Sequence, residues 1–299
     1  FANSFKIDVT TADTSLGSTD VHYFRTAIEG QDVQDFAKGT SSAKKFTLSF
    51  YVKTTKTGTY IVNLTDSDNS RECSASYTVS NTNWNRYTIS FPADTTGAFD
   101  NDNNVSLRVL FALSGGSAFQ SGTLSTTWAA QADANRLVGQ LNLADNTSNE
   151  WLITGIQLEV DHTGSGKATD FEHRTFTQEL ELCKRYYQQI GIDCYGNHSK
   201  RLSIPFINEA ASNTGGYINF RFHPEMRTTP TATFGSSLEL GQPQVDRSSY
   251  VVSSFGGLSS MGADFFQFSG GQLGSEGNSN RYIRVGHDAT AFAKFSAEL

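Results

Sequence analysis

The amino-acid sequence predicts an almost entirely β protein, built as an N-terminal jelly-roll β-sandwich, a short connecting α-helix and a smaller C-terminal antiparallel β-sandwich. Three observations carry this expectation. Apolar residues alternate with polar ones in short runs about ten residues apart, with turn residues between the runs. The composition sets 26 Gly and 22 Phe against 2 Met and 5 Pro, which suits turn-rich sandwiches better than helical packing. Only one stretch, Leu180 to Tyr187, has the spacing of three and four that a good helix needs. At 299 residues the chain is long for one domain. The expected division is a jelly roll over 1–174, a connecting helix over 175–191 and a β-sandwich over 192–299.

Taken in order, Phe5, Ile7 and Val9 alternate in a first strand, and VHYFRTAIEG reads as a second. Phe46, Leu48, Phe50 and Val52, then Tyr60, Val62 and Leu64, follow the period of two expected of core strands on either side of the turn TKTG. Tyr77 and Val79, then Tyr87, Ile89 and Phe91, continue the series, with Asn81 to Asn83 as the turn. Leu107, Val109 and Phe111 resume it after the polar loop 94–104. Residues 114–150 alternate poorly and are expected as an excursion at the sandwich rim. Leu152, Thr154, Ile156, Leu158 and Val160 are expected on one side of the next strand. Thr175 and Gln178 then have the form of a capping box, with Leu180, Cys183, Tyr187 and Ile190 as a buried helical stripe and Gly191 as its stop. Beyond it, short runs through Leu202, Ile204 and Phe206 and through Ile218, Phe220 and Phe222 begin a second set of strands. The Gly/Ser-rich segments near 255–262 and 270–280 are expected as loops.

The runs ITGIQLEV and ATDFEHRTFTQELELCKRYY resemble a segment of tailed-bacteriophage virion proteins, the tail fibre and structural proteins. The likeness extends upstream through KKFTLSFYVKTTKTGTYIVNL, NTNWNRYTISFPADTTG and SGTLSTTW, covering most of residues 1–187, and thins downstream to HPEMRTTPT and SAEL. The resemblance implies a jelly roll like a carbohydrate-binding module followed by a variable β-domain. It also implies a non-enzymatic virion appendage that binds a host-surface glycan or protein. Its expected partners are copies of itself, as a homotrimer, and other virion proteins. It would be assembled in the bacterial cytoplasm and act outside the cell. A capsid or head-decoration (head-fibre) protein is the alternative, and a glycan depolymerase a more distant one. Because Phe1 is not a start residue, the chain is expected to be part of a longer polypeptide whose attachment domain precedes it.

A net charge of −7 disfavours a broad phosphate-binding surface, so no nucleic-acid partner is expected. No run is apolar enough for membrane insertion by a helix. Cys73, Cys183 and Cys194 are odd in number and are expected as free thiols.

Sugar binding on a jelly roll needs exposed aromatic faces beside polar groups. Trp128, in an irregular loop, and Tyr23 are the leading candidates in the first domain, and Phe255 and Phe265 in the second. Trp84 and Trp151 open regular strands and are expected in the core or at its edge rather than as ligand platforms. No cofactor is expected. The resemblance allows a structural Ca²⁺ without assigning its ligands, and Asp66 with Asp68 and the run 100–104 read as solvated turns. No catalytic pair is apparent. Glu172, His173 and Arg174 read as a structural corner, with Glu172 and Arg174 pairing with backbone and each other. With Leu180, Cys183 and Tyr187 this corner forms the expected joint to the second domain.

Overall fold

The structure, a computed structural model, describes residues 1–161, 163–190, 206–208, 215–234, 238–241, 250–251, 255–271, 282–285 and 293–298. The fold is all-β, and the chain divides into two units, Phe1–His173 and Arg174–Glu298. Cys194, Gly191, Leu202 and Ile204 lie outside the described residues, as does most of the 270–280 segment.

The first unit holds β1 (Phe5–Asp8), β2 (Val21–Glu29), β3 (Lys45–Thr54), β4 (Gly58–Asp66), β5 (Arg71–Val79), β6 (Asn85–Phe91), β7 (Val105–Gly115), β8 (Ala129–Ala130) and β9 (Glu150–Asp161). These form two antiparallel sheets, ordered β1-β9-β3-β6 and β2-β7-β4-β5-β8. Most successive strands pass from one sheet to the other in the manner of a jelly roll, while β4 and β5, and likewise β7 and β8, stay within one sheet. The period-two residues meet between the sheets. Phe46, Leu48, Phe50 and Val52 of β3 are fully buried with Tyr60, Val62 and Leu64 of β4 and Leu107, Val109 and Phe111 of β7. Each such side chain removed from water contributes about 1.5–3 kcal/mol. Phe36, just before β3, stacks on Phe46 with ring centroids 3.8 Å apart.

β9 departs from strict alternation. Trp151 and Ile153 face the core, whereas Leu152 and Thr154 do not; beyond Gly155 the core-facing set becomes Ile156, Leu158 and Val160. The switch is a β-bulge. Thr154 pairs with Tyr51 but Gln157 with Ser49, and Gly155 supplies the left-handed conformation, φ +57°, that the extra residue needs. Trp151 is core as expected, fully buried against Phe24 and Phe111. Trp84 is not. It is 41% exposed, because it precedes β6, the edge strand of its sheet, which has no strand on one flank among the described residues.

In the second unit Thr175 and Gln178 form the capping box of helix α2 (Phe176–Lys184); α1 is a single turn in the first unit, Asp133–Arg136. The helix is shorter than expected, and its stripe is not buried. Leu180, Leu182, Cys183 and Tyr187 are exposed, and Tyr187 lies in β10 (Tyr187–Ile190) rather than in the helix. Sheet bonding ends the helix. The carbonyls of Arg185 and Tyr186 accept the N–H groups of Arg227 and Ala297, and β10 then pairs with β19 (Ala293–Ser296).

The other strands are β11 (Phe206–Asn208), β12 (Gly215–Arg221), β13 (Thr231–Phe234), β14 (Leu238–Gly241), β15 (Tyr250–Val251), β16 (Phe255–Met261), β17 (Phe265–Gly271) and β18 (Tyr282–Val285). They form antiparallel sheets ordered β10-β19-β13, β11-β12-β17-β16 and β15-β14-β18. Phe222, Met226, Phe295 and Ala297 are buried there, with Phe222 edge-on to Phe295 at 5.0 Å. Residues 255–261, expected as a loop, are a strand; register shifts along β16 accommodate their glycines and serines against β17.

Candidate functional site

A jelly roll has two outer faces on which a ligand can sit. In the first unit, residues 167–173 strap the outer face of the four-stranded sheet. Asp161 at the end of β9 accepts the N–H groups of Thr163, Ser165 and Gly166, which closes the glycine loop, and these bonds hold its carboxyl below the ordinary range. Thr169 then binds Glu159 through its N–H and hydroxyl, Arg86 donates to the Thr169 carbonyl, and the Glu172 N–H reaches Gln157. Phe171 and His173 close against Phe1, with ring centroids 4.8 and 5.4 Å away, and Phe1 in turn covers Tyr51. Arg174 pairs with Glu179 of α2 rather than with Glu172, its nearer partner in sequence. The ATDFEH run therefore lies over a sheet.

The outer face of the five-stranded sheet is covered at one end by described residues of the first unit. Along β7 the residues opposite the core set are Arg108, Leu110 and Ala112; Arg25 of β2 and Asn63 of β4 flank Leu110, and Thr65 flanks Arg108. The 116–142 excursion crosses one end of this face, where Leu137 packs on Ile61 and Ala112 in a small second core. Gln140 accepts the Ile61 N–H at 2.7 Å, and the Arg136 carbonyl accepts the Ser74 hydroxyl at 2.8 Å. The segment expected at the rim is thus folded onto a sheet. Beside it lies an open depression of about 270 Å³, whose rim and floor include Tyr23, Arg25, Asn63, Thr65, Arg108 and Arg136.

The polar groups there are arranged unevenly. Asn63 is fully buried, donating to Ser74 and accepting from Thr65. Arg136 is neutralised twice, by Glu72 at 2.6 Å and Asp133 at 2.8 Å. Arg108 donates to the Ser67 hydroxyl, and the Arg25 guanidinium lies 5.4 Å from the centre of the Tyr23 ring, a favourable cation–π approach. Among the described residues neither Arg25 nor Arg108 has a carboxylate within ion-pair distance. Tyr23 is 41% exposed.

No protein-family model matches the chain, and no curated protein matches it. The depression must therefore be read from its own chemistry: the exposed Tyr23 ring with the half-buried Phe119, hydroxyl groups, and two cations without an ion-paired carboxylate among the described residues.

Trp128 is not part of it. The indole is 8% exposed, donates its N–H to the Pro92 carbonyl at 2.8 Å, and packs on Phe46. Its face covers the Lys38 ammonium at 5.1 Å. An irregular loop had suggested an exposed platform, but the loop serves to bring Trp128 down over a buried charge.

That charge also bears on whether Asp66 could hold calcium. The Asp66 and Asp94 carboxylates and the Thr96 and Gly97 carbonyls converge on Lys38 Nζ, at 2.5, 3.1, 3.0 and 2.7 Å. This is an oxygen cage of the kind a hard cation uses, and the chain's own ammonium fills it. Asp66 is thus not in a solvated turn but fully buried, its second oxygen accepting the Asp68 and Asn69 N–H groups. The residues do not fit a Ca²⁺ ion at this position. Asp68 accepts the Asp100 N–H and Asp102 caps Asn104, as turn residues do.

In the second unit Phe265 is half-buried at the start of β17, beside Gly262, and Phe255 opens β16 opposite Gly270. The two phenylalanines belong to neighbouring strands of one sheet. Sequence reasoning found Tyr23 and missed Arg25, Arg108, Arg136 and Asn63. For Arg25, Asn63 and Arg108 the available signal was that they occupy the outward phase of regular strands, two residues from another outward-facing position; Arg136, in α1, carries no such signal.

Proposed function

We propose that the chain is a host-binding part of a bacteriophage virion appendage, a non-enzymatic β-protein whose first unit holds a surface glycan. One observation carries the binding part of this reading: the open part of a jelly-roll sheet that presents Tyr23 together with Thr65 and arginines in one depression, with Asn63 buried beneath them. Aromatic rings give sugar rings an apolar face, and hydroxyls and guanidiniums order the sugar hydroxyls around them. The resemblance of residues 1–187 to phage virion proteins supports the setting. In that setting the chain works as a homotrimer beside other virion proteins, assembled in the bacterial cytoplasm and acting outside it.

Adsorption of the labelled chain to bacterial cells and to their purified surface polysaccharide tests the reading. Wild-type chain is expected to bind without releasing soluble sugar, and Tyr23→Ala to bind about tenfold or more weakly, as truncation of a central tyrosine at an interface does. Equal adsorption by both proteins, or sugar release by purified chain, would contradict it.

A further inference from the structure

We infer that the ligand of the Tyr23 depression is an acidic saccharide, held through a carboxylate or phosphate group by Arg25 and Arg108. The inference rests on the glycan-binding reading above and adds the charge of the ligand.

The chain carries a net charge of −7, with 30 acidic residues against 23 basic ones, so a depression lined by arginines runs against its overall charge. Three guanidiniums line the depression, and they are treated differently. Arg136 is held by Glu72 and Asp133 and acts as part of the wall. Arg25 and Arg108 have no acidic partner among the described residues. Arg108 is half-buried, where a charge without a counter-ion is costly, and only a serine hydroxyl meets it.

These two arginines sit on adjacent strands. Arg25 pairs with Leu110, and Arg108 is two residues away on the same face, which makes the two a diagonal pair. Diagonal neighbours have backbones about 7–8 Å apart, close enough for two long side chains to reach one anionic group. The Tyr23 ring under Arg25 steadies one guanidinium without neutralising it. A guanidinium fork matches the oxygens of carboxylate and phosphate, and a cleft of one sign concentrates ions of the other. At about 270 Å³ the depression lies just below the usual small-ligand range of about 300–1,000 Å³, which suits a charged sugar ring better than a flat acidic protein surface.

The test is an array of purified bacterial surface polysaccharides in three groups, uronate-bearing, phosphate-bearing and neutral. It is probed with the full chain and with Arg25→Gln, Arg108→Gln and Lys167→Gln. Lys167 lies on the strap over the other sheet and controls for loss of one positive charge. The wild type is expected to bind anionic members only, and less well as salt is added. Each arginine variant should lose about 10- to 100-fold in affinity, the loss expected when a charge-assisted bond is removed, while Lys167→Gln stays within about twofold. Retention by uronate-bearing members alone, or by phosphate-bearing members alone, supports the inference and names the group. Arg25→Gln, on an exposed side chain, is expected to keep the wild-type melting temperature, so its loss of binding cannot be a folding defect. Binding of neutral glycans, or arginine variants that bind like wild type, overturns the inference and leaves glycan binding standing. No binding to any group by correctly folded wild-type chain removes both.

Discussion

Lys38 has an ammonium group that solvent does not reach, and its environment explains several neighbours at once. Asp66 and Asp94 supply charge, Thr96 and Gly97 supply carbonyls, and Phe99 and Trp128 cover the remaining sides, each ring centre 5.1 Å away. Replacing Lys38 by Met leaves two buried carboxylates facing each other with only Arg71 beside them. The expected loss is about 3–5 kcal/mol in urea unfolding, the cost of breaking a buried pair from one side. Trp84, Trp128 and Trp151 all belong to the first unit, so tryptophan fluorescence reports that unit alone. Asp94 predicts the acid limit of the same network. Burial opposes its ionisation, but bonds from Arg71, the Thr96 N–H and Lys38 outweigh it and hold the carboxyl below its ordinary value near 3.8. A depressed folded pKa means the unfolded chain takes up the proton first as pH falls. The stabilisation is therefore complete above the ordinary value and is lost as pH falls below it and through the folded one. Unfolding titrations from neutral pH downward should show that loss in wild type and a shallower one in Asp94→Asn. None of this was legible from the chain alone. Lys38, Asp66 and Asp94 are 28 residues apart or more in the pair that matters most, and a charge run in sequence does not reveal which charge is buried.

The strands of the first unit were easy to read, because each buries one face and period-two alternation records that directly. The failures fall on segments that pack as irregular chain. Residues 116–142 show no period, yet Leu137 anchors them to Ile61 and Ala112 as firmly as a strand residue. Leu137→Ala should cost about 2–5 kcal/mol, the usual price of a buried Leu truncation, and should raise protease cleavage within 117–136 and weaken glycan binding together. Unchanged cleavage would show that the excursion is held by its hydrogen bonds instead. Helix α2 was predicted from spacing that also continues through Tyr187, but spacing cannot weigh a further helical turn against sheet bonds to a strand more than a hundred residues away. β9 shows the converse case. Gly155 in a strand is the sequence signal of a bulge, and the change of core-facing phase across it follows from that one residue.

At the scale of the whole chain, the jelly-roll order was predictable in kind, since evenly spaced alternating strands have few other ways to close a core. The candidate site was legible in part: Tyr23 stands out as an aromatic in a polar phase, whereas its partners come from β4, β7 and the excursion and meet only in the folded sheet. What decides between the two outer faces is their covering, the 167–173 strap on one and the half-open excursion on the other. The central claim is that the ligand lies on the five-stranded sheet. Hydrogen exchange of the full chain with and without a bound host polysaccharide tests it most directly. Slowed exchange is expected in 21–25, 63–65, 108–110 and 131–137, the segments that meet at the depression. Protection confined to the strap or to the second unit, with those segments unchanged, would contradict the account.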